Sequence, residues 1–289
     1  MTDLHSKKSA MQEWGYVMNA KAGSSHSLGR NLFLSALAAT KPSQADGAID
    51  TWEGNVLPHG SIEELAPQLW HITGILPGVA PPREMVLYRL PDSTLLIHSA
   101  IALNETEMQK LEALGNPHIL IVPNRIHRLD AAVYKQRYPQ LTIVCPAAAR
   151  PYVEEVVSVD GTAEEVLPAY GIECHRPAGI YEQELVYELS LLTGKALVFT
   201  DILFNLTQSY LQQNIPERSS MFGWLGGSDF FGITRFGRWF FLSDRHAYQQ
   251  WLRSLADNIP NLCVICVAHG SPITKNCAER LRNAADRLR

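Results

Sequence analysis

Three polar residues sit where apolar, strand-type runs end. His127 follows Ile119–Val122, Asp201 follows Ala196–Thr200, and His269 follows Leu262–Ala268. Two imidazoles and a carboxylate are a sensible donor set for one divalent metal ion such as zinc, iron or manganese. Side chains at strand ends on one sheet edge can converge although they lie far apart in sequence. Three protein ligands leave a fourth position for water, which is the layout of a hydrolytic site. Glu182 and His175 are the candidates for a fourth protein ligand, and His98 and Asp130 the candidates for orienting a ligand from behind. Each residue also has a bland reading. Asp201 could cap a turn, His269 before Gly270 could fix a loop, and His127 could be a surface residue. His71, His118 and His175 lie in or beside strands, where packed or hydrogen-bonded histidines are common.

Other chemistries find less support. Cys263 and Cys266 form a CxxC, but inside an apolar strand-type run rather than at a helix start, so a structural role is expected. Five cysteines, mostly in apolar runs, point to reduced thiols and a cytoplasmic chain. Arg125 and Arg128 beside His127 could hold an anionic substrate, although isolated arginines are more often surface residues. No P-loop, dinucleotide fingerprint or Gly-x-Ser-x-Gly elbow occurs. The formal net charge of -4 lacks the basic footprint of a nucleic-acid binder. No run reaches the ~18 apolar residues of a membrane span. A small-molecule substrate is the partner that remains.

The elements that must position these residues read as a mixed α/β domain. With 46% hydrophobic residues, the 289-residue chain has material for a sizeable core. Residues 1–60 read as an N-terminal extension with one helix near 28–39, and residues 61–289 as the domain. Leu69–Thr73, Met85–Leu90 and Thr94–Ser99 are strand-like, with Pro91-Asp92-Ser93 as a hairpin turn. Asn104 starts a helix, with Glu107 completing a capping box and Gly115 as its stop. Strands at 119–122 and 141–145 alternate with helices at 130–138 and 147–156. Strands at 172–175, 185–189 and 196–200 follow. After an irregular stretch come a helix at 244–255, a strand at 262–268 and a closing helix at 274–289. Such an order fits two packed sheets with helices outside, a four-layer αββα sandwich.

The chain resembles the metallo-β-lactamase superfamily over residues 61–289. Ser61–Gly74 resembles its opening strand, Thr94–Ala100 the strand that normally ends in an Asp-small-Gly turn, and Ala196–Phe204 the strand that delivers the metal-bridging Asp. Ala268-His269-Gly270 resembles the late Gly-His-Gly metal loop. Val122–His127, Tyr138-Pro139 and Thr200–Leu206 are similar to the DUF4336 branch. The resemblance implies the αββα fold and a metal-dependent hydrolase. The departures imply a degenerate metal site. Where the superfamily has His-x-His-x-Asp-His, this chain has Pro123-Asn124-Arg125-Ile126-His127-Arg128-Leu129-Asp130. Ile180 stands at the position of the next family histidine, and His98 at that of the earlier Asp. About three ligands of a two-metal set remain, which leaves one bound metal and none both open.

Ten of the chain's 25 aromatic residues crowd into residues 222–251, interspersed with glycines. They read as a satellite core under the helix at 244–255, with a lid over the site or a membrane or partner contact flanked by Arg235, Arg238 and Arg245 as alternatives. Two functions follow: a metal-dependent hydrolase of unknown substrate, or a non-catalytic binding or scaffold protein that kept the fold and lost the metal. A metal-dependent oxidoreductase is a third, with no cofactor fingerprint behind it.

Overall fold

Strand-type runs pair into two sheets in a computed structural model that describes residues 51–76, 80–181, 184–224 and 229–288. The helix expected near 28–39 and the candidate ligand Glu182 lie outside the described residues. Seven strands make the first sheet in chain order: β1 (Glu63–Ala66), β2 (Leu69–Gly74), β3 (Arg83–Arg89), β4 (Leu95–His98), β5 (Pro117–Ile121), β6 (Thr142–Cys145) and β7 (Gly161–Thr162). The second sheet holds β8 (Glu173–His175), β9 (Val186–Leu191), β10 (Gly194–Val198) and β11 (Leu262–Cys266), in the order β11-β10-β9-β8.

Helices α1 (Trp52–Asn55), α2 (Glu105–Leu114), α3 (Ala131–Arg137), α4 (Arg150–Val153) and α5 (Ala163–Val166) belong to the first half of the chain. Helices α6 (Gln208–Asn214), α7 (Ser219–Trp224), α8 (Arg235–Phe240), α9 (Arg245–Asn258) and α10 (Cys277–Asp286) belong to the second.

Local chemistry sets the turns. Between β3 and β4, Asp92 Oδ1 accepts from Thr94 N at 3.0 Å and Thr94 Oγ1 at 2.6 Å, which closes the hairpin. At α2, Asn104 caps by accepting from Glu107 N at 3.0 Å. The capping box is only half made. Glu107 turns away to accept from Ile62 N at 3.0 Å, and Asn104 N donates to His59 Nε2 at 2.9 Å. Trp52 packs on Tyr134 with ring centroids 5.0 Å apart, so α1 lies against α3.

Burial explains the layers. The inward faces of both sheets share one cluster, with Val86, Leu96, Ile119 and Ile121 from the first and Tyr187, Leu189, Ala196 and Val264 from the second. On the outer face of the first sheet, Ile97 and Leu120 pack with Met108 and Leu111 of α2 and Tyr134 of α3. On the outer face of the second, Leu197 and Ile265 pack with Tyr248 and Leu252 of α9 and Leu281 of α10. Each such side chain contributes roughly 1.5–3 kcal/mol relative to exposure. The order is helix, sheet, sheet, helix, the αββα sandwich.

Several boundaries differ from the sequence reading. The helix expected at 147–156 breaks into a 3-10 turn, Ala147–Ala149, and the short α4, with Pro151 at the start of the latter. The stretch expected to be irregular, 201–242, carries α6, α7 and α8. Thr207 and Thr234 cap α6 and α8 by accepting from Tyr210 N and Gly237 N, so this stretch has ordinary helix starts.

The strand directions fix where chemistry can gather. β4 and β5 are parallel, β10 and β11 are parallel, and β3 runs against β4. The C-terminal ends of β4 and β5 therefore lie beside the start of β3. Glu84 N in β3 donates to Ala268 O just past β11 at 2.8 Å, which brings the same edge of the second sheet to that point.

Candidate metal centre

His127 lies in the loop after β5, and the loop's shape comes from Asn124. Its Oδ1 accepts from Ile126 N at 2.8 Å and His127 N at 3.0 Å, a side-chain turn that asparagine makes readily. Ser99, directly after β4, shares a 2.8 Å hydrogen bond between its Oγ and His127 Nδ1, leaving Nε2 to face inward. Asp201 follows β10. The buried carboxyl of Glu184 anchors that turn, accepting from Thr200 N and Asp201 N, each at 2.9 Å. His269 follows β11. Its Nδ1 donates to Pro82 O at 2.8 Å, its ring stacks on Phe204 with centroids 5.0 Å apart, and its carbonyl accepts from Asn205 N at 3.0 Å.

These three residues meet. His127 Nε2 and His269 Nε2 each lie 3.2 Å from Asp201 Oδ1, and one ligand atom from each residue lies within 4.8 Å of the others. All three are buried. Asn124 Nδ2 donates to the other carboxylate oxygen, Asp201 Oδ2, at 2.7 Å. Burial opposes the charge on Asp201, but the charge of His127, and the hydrogen bonds that His127 and His269 make when their Nε2 atoms carry protons, hold its carboxyl well below the usual carboxylate range. Burial also lowers the His127 pKa, against the pull of Asp201. An ionised carboxylate beside a neutral imidazole is the protonation state in which these groups ligate a metal.

The hydrogens test the fit to a metal. A carbonyl only accepts, so His269 Nδ1 carries a proton. Neutral His269 then turns a bare Nε2 lone pair toward Asp201 Oδ1 at 3.2 Å, and two acceptors face each other. A second proton on His269 or a cation at this point relieves the conflict. The two 3.2 Å separations also match the ~3.3 Å edge of a tetrahedron with ~2.0 Å metal–ligand bonds. The donor set fits a single ion. A two-metal site needs about six ligands, and this group among the described residues supplies three.

Other sequence candidates go elsewhere. His175 is in β8, where its Nε2 is 2.9 Å from Glu188 Oε2; with Glu173 these residues form a second group with metal-binding residue types. Lys195 Nζ, 3.0 Å from Glu188 Oε1, already balances that carboxylate, and His175 does not join the central three. Asp130 does not touch a ligand of the triad. It forms a buried ion pair with Arg83 and accepts from Ala102 N at 3.0 Å. His98 is buried behind the site, with Nε2 3.4 Å from Thr200 Oγ1. Arg125 is buried with its guanidinium 3.5 Å from the Tyr152 ring centre, and Arg128 binds Glu155 and the Tyr152 carbonyl, so both have structural roles. The CxxC thiols are free, and burial pushes Cys266 far above the ordinary range, as suits a packing role.

The aromatic stretch divides. Phe231 and Tyr248 join the core layer between the second sheet and helices α9 and α10, with Phe241 and Trp251 packed against it, so these rings belong to a main core layer rather than to a satellite. Phe222 joins Phe204, Leu206, Tyr210 and Leu211 in a separate cluster, and Phe204 is the ring on which His269 stacks. Phe204 is thus where that cluster meets the triad.

Sequence reasoning missed Ser99, Asn124, Glu184 and the Pro82 carbonyl. Small polar residues in loops carry no distinguishing pattern, and a main-chain carbonyl carries none at all.

No family model matches the chain, and no curated protein does. Solved structures do. A metallo-β-lactamase from Erythrobacter litoralis with beta-mercaptoethanol in its active site is 14% identical, with TM-score 0.54, over 78% of this chain and 96% of that one. The metallo-β-lactamase FIM-1 from Pseudomonas aeruginosa, in its mono-zinc form, is 9% identical, with TM-score 0.53, over 81% and 97%. A metallo-β-lactamase from Hirschia baltica is 13% identical, with TM-score 0.51, over 80% and 99%. At such identities the likeness shows the fold alone, and the fold is that of the metallo-β-lactamases.

Proposed function

We propose that this chain is a metal-dependent hydrolase in which His127, Asp201 and His269 hold one divalent ion, acting on a small ester, amide or phosphoester. The observation that carries the reading is the facing of His269 Nε2 and Asp201 Oδ1 at 3.2 Å while the other ring nitrogen is committed to Pro82 O. A solved neighbour with the same fold is in a mono-zinc form, so the fold accommodates a single ion. When bound, the ion supplies Lewis acidity, lowering the pKa of water toward ~7 and polarising the scissile group.

The chain's own residues supply the rest. Pro82 O and Ser99 Oγ fix the ring orientations of His269 and His127. Asn124 aligns Asp201 while shaping the turn that carries His127. Phe204 and its apolar neighbours keep water from one side of the site. The DUF4336 likeness belongs to this reading, as do a degenerate two-metal site and a cytoplasmic location. Among the described residues, no helix is long and apolar enough to cross a membrane.

One observation favours a second reading, a binding protein without metal. If His269 carries both protons, Asp201 and the two histidines form a closed ion-paired set. Metal content by mass spectrometry separates the two. Protein purified without a histidine tag should hold about one zinc, iron or manganese per chain. The His127→Ala/Asp201→Ala/His269→Ala variant should hold none, and hydrolysis of aryl ester and aryl phosphoester substrates should vanish with the metal. Metal-free protein that stays metal-free after loading would sink the metal reading and leave the second.

A further inference from the structure

Behind the strand-like segment 204–206 lies a cleft of about 190 Å³, lined by Asn205, Thr207, Phe230, Phe231, Arg280 and Arg287. The segment separates it from the triad: Asn205 N donates to His269 O on one side, and Phe204 pairs with Gly232 on the other. Arg280 is in α10 and Arg287 is one residue past its end. Seven residues, about two helical turns, separate them, so both side chains leave the same side of the helix.

The two guanidiniums are held by aromatic rings rather than by acids. Arg280 lies 5.8 Å from the Phe231 ring centre, and Arg287 lies 5.6 Å from that of Phe230. Arg280 Nη2 also donates to Asn205 Oδ1 at 3.3 Å. Neither arginine has an ion pair with a carboxylate among the described residues. Asp229 shares the cleft, but its Oδ1 accepts from Gln208 N at 2.7 Å. Arg238, which does not line the cleft, donates to the Arg287 carbonyl at 2.8 Å and brings a third cation to that end of the chain's last helix. In a chain of net charge -4, this is a local excess of positive charge around a concave surface.

We infer that this cleft is a binding site for a small molecule that carries a phosphate or carboxylate group next to an aromatic or apolar ring. The planar guanidiniums supply paired N–H donors of the kind that recognise such oxyanions. Asn205, Asn283 and Thr207 supply neutral polar contacts, and Phe230 and Phe231 supply a wall for the ring. The inference does not depend on the triad holding a metal.

Calorimetric titration of the metal-stripped full chain with phenyl phosphate, inorganic phosphate and benzoate tests it. Phenyl phosphate or benzoate should bind with Kd below about 1 mM, and the stronger of the two identifies the preferred oxyanion. Binding should weaken at least ~10-fold in Arg280→Gln/Arg287→Gln. Phe230→Ala should weaken the ring-bearing ligands more than inorganic phosphate. The triple variant of the triad should bind as the parent does, which separates this site from the metal reading. If the double variant does not fold by near-ultraviolet circular dichroism, Arg287→Gln alone takes its place. Absence of binding by all three anions at ~10 mM, or binding that is unchanged without the arginines, would overturn the proposal.

Discussion

His98 ends β4, and its surroundings give it a measurable signature. It is 1% exposed, its Nδ1 has no hydrogen-bond partner, and the Tyr187 ring meets it edge-on at 5.6 Å. Burial, and then the neighbouring His127, push its pKa down to about 3. The unfolded chain titrates it near ~6.5. Between these values the unfolded state binds a proton that the folded state refuses. The stability contribution is therefore complete above about 6.5 and is lost as the pH falls toward 3. Urea unfolding of the metal-stripped protein from pH 7.5 to 4 should show a steep loss of stability in the parent and a shallower one in His98→Gln. Parallel curves would mean that His98 is not a source of the acid sensitivity.

At the scale of elements, the sequence was readable where apolar alternation or a cap marked it. The strands from Leu69 to His98, the cap at Asn104 and the parallel pair β10–β11 carry such marks. Asp201 and His269 follow the ends of β10 and β11 within three residues and His127 sits in the loop after β5, which is why the sequence could single them out as candidates. Residues 201–242 were not, because α6 and α8 are only seven and six residues long and glycines and aromatics interrupt the pattern around α8. The groups that orient the triad come from contacts between elements, which no local pattern encodes. Gly270 is an example. It follows His269 at φ 111°, and a Cβ there would lie 2.2 Å from Asn205 O. Only glycine lets the 269–271 loop run so close to the 204–206 segment. Gly270→Ala should cost at least ~1–3 kcal/mol from the backbone conformation alone, with the clash adding to it, and should displace His269. Chemical denaturation together with metal retention checks this. A stability within ~0.5 kcal/mol of the parent would show that the loop has room the geometry denies it.

At the scale of the whole domain, the triad is a junction between two sheets. His127 and its partner Ser99 come from the ends of β5 and β4, while Asp201 and His269 come from the ends of β10 and β11. The inward-facing cluster already joins the sheets through apolar contacts. An ion held by all three ligands adds a tie that exists only when both sheets are in place, so it binds the folded chain and not the unfolded one. Linkage then gives about 2.7 kcal/mol of added stability at a free-metal concentration 100 times Kd. For a domain of this size that is a rise in Tm of roughly 5–10 °C. Zinc added to metal-stripped protein should produce such a rise in the parent and none in Asp201→Asn. A rise that survives Asp201→Asn but disappears in Glu188→Gln would move the metal to the Glu173, His175 and Glu188 group. That group spans only β8 and β9 of one sheet, where an ion would tie no junction.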